Sequence, residues 1–334
     1  MQLPHSLEWL IESEAVEMNK LVLLSRLFDA GMSVLNGKVV IEEHFCDDPR
    51  EALDVLREAE GVLIGNQRFG ADIIDVCPNL RLIAKQGSGV DNIDLAAATK
   101  RGIPVVISAG ANAQAVAEHV MMLVLSTCRN LIRYDRATRA GDFAIRSSCE
   151  ERGLHGKKIG LVGCGKIGKA VCGYADAFGM QPLVFDPYLA RQEGQPFSLC
   201  DDLDSLLRAS DIVSIHVPLT NETREMIGER EFAMMKEGSV LINCSRGGIV
   251  DETALYKALK SGHLYGAGLD VHSTEPCLSE DPLFALDNVV VTPHSAALTK
   301  ESADTMSTVT AMGILAIFEG KKWNQVANPE VLQH

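Results

Sequence analysis

The residues whose types and spacing best suit chemistry are three glycines, Gly163-x-Gly165-x-x-Gly168, and an acid, Asp186, that follows them. A short apolar run precedes the glycines and a helical apolar pattern follows them, so the order is strand, tight turn and helix. The first glycine permits the turn, the second lets the backbone approach a pyrophosphate, and the third lets the helix pack on its strand. The amides and positive dipole end of that helix favour an anion. The pattern therefore predicts a dinucleotide site.

A second apolar run, residues 182–185, leads into Asp186 and bears on the choice of dinucleotide. An acid roughly 20 residues along a βαβ unit accepts hydrogen bonds from the adenosine ribose hydroxyls. Because a carboxylate there would repel a 2′-phosphate, the sequence predicts NAD rather than NADP. Arg191, a few residues later, leaves the strictness of that preference open.

Three polar residues that follow other apolar runs are candidates for substrate chemistry: Arg246, Glu275 and His294. Arg246 stands at a predicted strand end beside two glycines, where it can offer a carboxylate two parallel hydrogen bonds. Taken singly, the three residues also have structural explanations, as a surface ion-pair partner, a solvated turn residue and a packing residue. Their order along the chain with the glycine loop favours a functional set.

The elements that must position these residues form two alternating series of apolar runs and helical patterns. The predicted strands are 21–24, 39–41, 62–64, 81–84 and 105–107 in the first series, and 159–162, 182–185, 212–217, 240–243, 266–270 and 289–292 in the second. The predicted helices include 49–59, 203–209 and 252–261. Residues 112 to about 140 are predicted to form one long helix, and a last helix, about 299–318, to return to the first domain.

This pattern predicts an α/β protein with two doubly wound parallel-sheet domains and a cleft between them. A discontinuous, flavodoxin-like substrate domain is expected over 18–111 and 297–334, and a Rossmann NAD-binding domain over 112–296. Residues 1–17 are expected to form an N-terminal extension. The chain would cross between the domains twice, as in a two-stranded hinge.

Composition and charge exclude several classes of partner. A formal charge of −14 gives no general attraction for nucleic acid or an anionic membrane, so neither is expected. The nine cysteines show no Cys-x-x-Cys pair and no zinc-type spacing, which predicts reduced thiols, no metal site and a cytoplasmic location. The N-terminus has acidic residues among its apolar ones and does not look like a signal peptide.

Together these motifs resemble those of the D-isomer-specific 2-hydroxyacid dehydrogenases, the family that includes D-lactate, glycerate/hydroxypyruvate and D-3-phosphoglycerate dehydrogenases. The resemblance extends over nearly everything from Lys20 onward. It implies an NAD-dependent enzyme that interconverts a small-molecule 2-keto acid and its (R)-2-hydroxy acid. It also implies a homodimer, with residues 112–129 as the dimer-forming helix.

By that resemblance Arg246 holds the substrate's carboxylate and polarises its carbonyl, Glu275 pairs with a histidine, and His294 is the acid/base. As a hydride reaches the keto carbon, charge grows on the carbonyl oxygen, and an imidazolium can deliver the proton there. His272, three residues before Glu275, is a rival for the acid, but the resemblance places the proton donor in the Thr-Pro-His segment. His119 is interpreted as a packing residue.

The resemblance and motif positions also assign binding residues. The cofactor set is Gly163, Gly165, Lys166, Ile167, Gly168, Asp186, His216, Val217, Pro218, Thr220, Thr223, Cys244, Ser245, Arg246, Asp270 and His294. The substrate set is Ser88, Gly89, Val90, Arg68 and Arg246.

Several positions depart from the family pattern and leave the substrate open. Ser295-Ala296-Ala297 follows His294 where many relatives carry a bulkier residue and a glycine, and Gln114 replaces a common hydroxyl residue. Arg68 permits a phosphorylated or acidic substrate tail. Two other functions stay open: an NAD(H)-sensing, corepressor-like interaction protein, and a formate dehydrogenase-like enzyme, although formate relatives typically carry Gln in place of Glu275.

Overall fold

The structure is a computed structural model and describes residues 18–192 and 194–332. The chain divides into two compact units, one made of the described residues up to Ala109 and from Asp304 onward, the other of Gly110–Ala303. The predicted N-terminal extension, residues 1–17, lies outside the described residues.

The first unit is built around a five-stranded parallel sheet in the order β2-β1-β3-β4-β5. This 2-1-3-4-5 order is that of flavodoxin-like folds. Its strands are β1 (Lys20–Leu23), β2 (Val40–Glu43), β3 (Gly61–Ile64), β4 (Leu82–Lys85) and β5 (Val105–Ile107). Its helices are α1 (Asp29–Leu35), α2 (Leu53–Leu56), α3 (Ala71–Ile74) and α4 (Leu95–Lys100).

The second unit contains a seven-stranded parallel sheet in the order β12-β11-β10-β9-β6-β7-β8. Its strands are β6 (Lys158–Val162), β7 (Gln181–Phe185), β8 (Ser198–Leu199), β9 (Ile212–Ile215), β10 (Ser239–Asn243), β11 (Leu264–Leu269) and β12 (Val289–Val291). Its helices are α5 (Ala113–Cys128), α6 (Leu131–Arg139), α7 (Lys166–Ala177), α8 (Leu203–Ala209), α9 (Glu229–Met234) and α10 (Glu252–Lys260). The last helix, α11 (Lys300–Phe318), continues into the first unit.

The strand order of the second sheet reverses between β6 and β9, because the chain first builds outward to β8 and then returns to the other side of β6. In doubly wound sheets, ligands bind outside the carboxyl ends of the strands at such a switch point. The central strands are buried along their whole length, as helices on both faces require. The prediction of two parallel-sheet α/β domains is confirmed.

The single long helix predicted over residues 112 to about 140 is wrong. The structure has two helices, α5 and α6, that meet at an angle of 59°. Between them Asn130 adopts the left-handed conformation with φ of 50°, which ends α5; asparagine tolerates this region better than most residues. The apolar residues of α5 give way to mostly polar ones in α6, and neither glycine nor proline marks the break.

The helix predicted over residues 49–59 is also shorter than expected. A 3-10 turn, Pro49–Ala52, is followed by the single α-helical turn α2. The side chain of Asp48 accepts a hydrogen bond from the Arg50 N–H, and Pro49 occupies the first position, so the start is well capped. The strand predicted over 212–217 ends at Ile215, which leaves His216 and Val217 in the following loop.

Candidate active site

The glycine loop lies between β6 and α7, as the sequence predicts. Gly163 has a φ of +90°, and a Cβ on it would meet Val217 Cγ1 at 2.9 Å. A Cβ on Gly168 would lie 2.7 Å from the carbonyl oxygen of Gly163, so the helix packs directly on the turn. Gly165, the residue that caps α7, has no atom within 4 Å of its Cβ position and therefore lines open space at the helix start.

Asp186 is held beside this loop at the end of β7. Its Oδ2 accepts a hydrogen bond from the Cys164 N–H at 2.9 Å, and its Oδ1 accepts one from the Tyr188 N–H at 3.0 Å. Each carboxylate oxygen can accept a further hydrogen bond. Open space at the start of a twelve-residue helix, with an acid fixed at its edge, fits a dinucleotide with its pyrophosphate at Gly165 and its ribose at Asp186.

The other predicted cofactor residues of this region form the loop after β9. His216 Nε2 lies 3.0 Å from the Ser214 hydroxyl, and burial lowers the pKa of His216 to about 4, so its imidazole is neutral. Thr223 accepts a hydrogen bond from the Thr220 N–H and donates one to the carbonyl of Pro218, which closes the loop on itself. Lys166, the first residue of α7, packs its side chain against Gly110, where a Cβ would lie 2.2 Å from Lys166 Cδ. Ile167 is half-buried and packs against the core.

Arg246 follows β10 in a loop that is fixed by its neighbours. The Asn243 side chain accepts from the Ser245 N–H at 3.0 Å and donates to the Arg246 carbonyl at 2.9 Å. Ser245 also donates from its hydroxyl to the Ile215 carbonyl. A Cβ on Gly247 would lie 2.0 Å from the backbone carbon of His272, so the Arg246 loop packs against the start of the Glu275 loop. Cys244, just before, is half-buried, and desolvation by the surrounding protein raises the pKa of its thiol.

His294 and Glu275 form a close pair, with 2.6 Å between His294 Nδ1 and Glu275 Oε2. The other carboxylate oxygen, Oε1, accepts from the His272 backbone N–H at 3.0 Å. Burial alone would raise the pKa of Glu275, but the hydrogen bonds from His294 and His272 and their positive charge outweigh it and hold the pKa below its usual value. Glu275 is therefore an anion beside the imidazole at neutral pH.

His294 itself adopts a left-handed backbone conformation with φ of 53°. For a residue other than glycine this conformation costs of order 1–3 kcal/mol and persists only where the surroundings impose it. Here the His294 N–H donates to the Asp270 carbonyl at 2.7 Å. The Asp270 carboxylate accepts from the Thr292 hydroxyl at 2.6 Å and from the Ser295 and Ala296 N–H groups at 2.9 Å.

The predicted substrate residues of the first unit lie at the carboxyl end of its sheet. The Gly87-Ser88-Gly89 turn follows β4, with φ of +138° at Gly87; Ser88 is exposed and Val90 half-buried. Arg68 is exposed, in the loop after β3. Lys85, which the sequence reasoning missed, ends β4 with its side chain buried, and its Nζ donates to the Gly65 carbonyl at 2.5 Å and to Asn92 Oδ1 at 2.8 Å.

The structure thus brings the two predicted groups of the second unit to the carboxyl ends of one sheet: the glycine loop with Asp186, and Arg246 with Glu275 and His294. Sequence reasoning missed the contact of His119 with Thr292, 2.9 Å between Nε2 and Oγ1. His272, the rival acid, is buried and stacks edge-on against Phe284.

The described residues offer neither a metal site nor a single membrane-spanning helix. Within residues 18–192 and 194–332, no group of three or more His, Cys, Asp or Glu side chains is placed to hold a metal ion. No single described helix is long and apolar enough to cross a membrane. Helices α5 and α6 reach the length and apolar composition of a membrane span only when they are counted together across their bend. Most residues of α5 are buried inside the protein.

Comparison with known proteins gives consistent matches. Residues 121–296 match the family model for the D-isomer specific 2-hydroxyacid dehydrogenase, NAD binding domain. The chain is 35% identical over 314 residues to the D-3-phosphoglycerate dehydrogenase of Methanocaldococcus jannaschii, covering 93% of this chain and 60% of that protein. It is 39% identical over 269 residues to the glyoxylate reductase of Korarchaeum cryptofilum, covering 79% of this chain and 80% of that one.

A solved structure matches over almost the whole chain. The crystal structure of D-lactate dehydrogenase from Aquifex aeolicus, complexed with NAD and lactic acid, superposes with a TM-score of 0.81 at 29% identity, covering 94% of this chain and 98% of that one. The chain spans between 51% and 60% of the length of the first three curated relatives, all D-3-phosphoglycerate dehydrogenases.

Proposed function

The chain belongs to the D-isomer specific 2-hydroxyacid dehydrogenase family, and on that premise we propose that it interconverts a 2-keto acid and its (R)-2-hydroxy acid with NAD as the redox partner. The family membership confirms the resemblance found in the sequence. The observation that carries the proposed reaction is the His294–Glu275 pair, 2.6 Å apart, which lies in the same unit as the glycine loop and Asp186.

His294 acts as the acid in keto-acid reduction and as the base in the reverse direction. NADH, when bound, supplies the hydride. Because Nδ1 of His294 is paired with Glu275, the other ring nitrogen, Nε2, is the one that exchanges a proton with the substrate oxygen. The anionic Glu275 stabilises the imidazolium before transfer and orients the ring.

Arg246 binds the substrate's carboxylate and stabilises the charge that develops on the carbonyl oxygen. Its guanidinium offers donors in a planar fork, which suits a planar 2-keto carboxylate. The tight contact of Gly247 with the His272 backbone fixes the Arg246 main chain relative to the Glu275 loop. The guanidinium of Arg246 and the imidazole of His294 are thereby held at a fixed separation. Such fixed orientation of reacting groups raises the rate.

Ser88, Gly89 and Val90, in the turn after β4, are assigned to the binding of the substrate's carboxylate, as the family resemblance implies. The glycine-flexed backbone at Gly87 supports this role, because successive amides in such turns bind anions. Arg68 is assigned to the variable end of the substrate. All nine cysteines are free, which supports a cytoplasmic enzyme.

The reaction is tested by following NADH oxidation at 340 nm with a panel of 2-keto acids. The panel comprises glyoxylate, hydroxypyruvate, pyruvate, branched-chain and aromatic keto acids and 3-phosphohydroxypyruvate. Fast turnover of one member, with the (R)-hydroxy acid as product, supports the proposal and names the substrate class. NADH binding without turnover of any member would instead favour an NAD(H)-sensing protein. Reduction of NAD by formate would favour the formate dehydrogenase alternative.

Asp186 is expected to set the preference for NADH over NADPH. In Asp186→Ala, the ratio of kcat/KM for NADH to that for NADPH should fall, because the carboxylate that repels a 2′-phosphate is removed. The measurement is steady-state kinetics with both cofactors at one saturating keto acid concentration. Glu229→Ala, which changes an exposed acid paired with Lys257 at the start of α9, is the control and should leave the ratio unchanged. An unchanged ratio in Asp186→Ala would contradict this role.

The active form is proposed to be a homodimer that pairs through α5 and its neighbours. A groove of about 570 Å³ there is lined mainly by apolar side chains, namely Met121, Met122, Leu125, Leu131 and Phe178. Glu118 and Arg129 also line the groove. In a two-fold dimer, Glu118 of one copy would face Arg129 of the other. Met122 and Leu131 are exposed in the single chain, and exposed apolar groups in one patch favour an interface.

Sedimentation equilibrium tests the dimer. Wild-type protein is expected to sediment as a dimer, and Met122→Glu with Leu131→Glu should sediment as a monomer, because two carboxylates would be buried without partners. Leu278→Glu, which changes an exposed apolar residue outside the groove, should remain dimeric. A wild-type monomer at micromolar concentration would contradict the proposal.

A further inference from the structure

Helix α5, which no motif connects with catalysis, contacts the residues that hold the His294 loop. His119 on α5 lies 2.9 Å, measured from Nε2, from the Thr292 hydroxyl, and 3.5 Å from Asp270 Oδ1. The Thr292 hydroxyl in turn lies 2.6 Å from the same carboxylate oxygen. The side chain of Asp270 is 1% exposed and that of His119 is 14% exposed.

The direction of these hydrogen bonds follows from the groups involved. An ionised carboxylate only accepts, so the Thr292 hydroxyl donates its single proton to Asp270. The Thr292 oxygen is then left as an acceptor, and the bond from His119 requires a proton on Nε2. Burial lowers the pKa of His119, although Asp270 opposes that shift, so the ring is neutral at pH 7 with its one proton on Nε2.

The close approach of α5 to β11 makes this contact possible. A Cβ on Gly266 would lie 2.7 Å from Thr127 Cγ2, and a Cβ on Gly268 would lie 2.9 Å from Leu123 Cβ. Residues 119, 123 and 127 share one face of the helix, and 266, 268 and 270 share one face of the strand and the residue after it. Residues 119, 123 and 127 of α5 therefore face residues 270, 268 and 266, and we call this line of three contacts the helix–strand seam. The two glycines of β11 let the helix approach closely enough for His119 to reach Asp270.

Asp270 connects this seam to the loop of His294. Its carboxylate accepts from the Thr292 hydroxyl and from the Ser295 and Ala296 N–H groups, and its carbonyl accepts from the His294 N–H. These four bonds hold the chain before, at and after His294, which has the left-handed backbone conformation. Loss of the bond between the Thr292 hydroxyl and Asp270 would release the first residue of the loop, directly after β12.

We propose that His119 is a positioning residue for this reaction: its Nε2–H fixes the Thr292 hydroxyl on Asp270 and so holds the His294 loop in the conformation that pairs its imidazole with Glu275. This inference rests on the proposed function for its kinetic effect, but the geometry that it describes is independent of turnover. His119 touches neither of the reacting groups; its hydrogen bond goes to Thr292, and Asp270 Oδ1, 3.5 Å away, is beyond good hydrogen-bond distance.

Two matched pairs of variants test the proposal. His119→Gln keeps an N–H donor near the position of Nε2, whereas His119→Met has similar volume and helix propensity but no donor. Thr292→Ser keeps the hydroxyl, whereas Thr292→Val has the shape of threonine without it. We expect kcat to fall roughly 10- to 100-fold in the Met and Val variants, as for a small misplacement of a catalytic group. The Gln and Ser variants should stay within about threefold of wild type, since each keeps its hydrogen bond.

Three further readouts separate positioning from a general loss of structure. The Kd for NADH should change far less than kcat in all four variants, because the glycine loop and Asp186 are left intact. The double variant His119→Met with Thr292→Val should be no slower than Thr292→Val alone, because the two residues act in series. The ring ¹⁵N chemical shifts of His294, assigned with His294→Ala in protein labelled at histidine, should move in the Met and Val variants and stay in place in the Gln and Ser variants.

The outcomes for this inference and for the proposed function are distinct. If wild-type protein reduces no keto acid, the proposed function fails, and the ¹⁵N shifts of His294 still decide whether His119 and Thr292 position its ring. If wild-type protein is active and the Met and Val variants match it in kcat and in ¹⁵N shift, the inference is overturned. Equal impairment of the Gln and Met variants would also overturn it, since the donor would then not be the reason.

Discussion

Replacement of His294 by alanine is expected to lower the rate of keto-acid reduction about 10³-fold, in the middle of the range for general acid–base catalysis. The side chain that delivers the proton is lost, while the glycine loop and Asp186 remain intact. NADH should therefore still bind with nearly the wild-type Kd. Stopped-flow measurement of single-turnover NADH oxidation, with a fluorescence titration of NADH binding, tests both statements.

Two variants refine this expectation. Glu275→Gln keeps a group of the same shape beside His294 but removes the charge, so a smaller fall in rate is expected. His155→Ala changes an exposed histidine of the same unit and should react at the wild-type rate. If His294→Ala retained a rate near that of wild type, the proton would have to come from another group, and His272 would be the next residue to substitute.

The order of the elements could be predicted from the sequence because each apolar run was short and bounded by glycine, proline or polar residues. Strand β5 has the predicted bounds, and the core strand β10 begins one residue early, at Ser239. The break at Asn130 is harder to predict: Arg129-Asn130 interrupts the pattern and the residues of α6 are mostly polar, but an asparagine within a helical pattern does not by itself specify a left-handed conformation.

The residues of the candidate site were predictable to the extent that local motifs encode them. Gly163 and Asp186 occupy the turn and strand end that the βαβ pattern requires, and Arg246, Glu275 and His294 each follow a strand. The contact of His119 with Thr292 joins residues 173 positions apart. It depends on how closely α5 packs on β11, and a single sequence carries no local signal for such a distance.

The second large effect is expected from Arg246. Arg246→Ala should lower kcat/KM about 10³-fold, comparable to the loss of a donor that stabilises a developing oxyanion. Arg246→Lys should recover part of this activity, since it keeps the charge but lacks the planar fork of donors. Added guanidinium should partly restore turnover in Arg246→Ala and should have no such effect on His294→Ala.

The division of the Arg246 effect between KM and kcat distinguishes two roles. If the guanidinium only holds the substrate's carboxylate, it stabilises the ground state and transition state equally, and the loss appears in KM. If it also stabilises charge on the carbonyl oxygen, kcat falls as well, and we expect this second result. Gly247→Ala provides an independent check, because a Cβ there would lie 2.0 Å from the His272 backbone and must displace the Arg246 loop. With Arg246 still present, kcat should fall while the Kd for NADH is unchanged; an unaffected kcat would mean that the placement of Arg246 beside the Glu275 loop does not matter to the reaction.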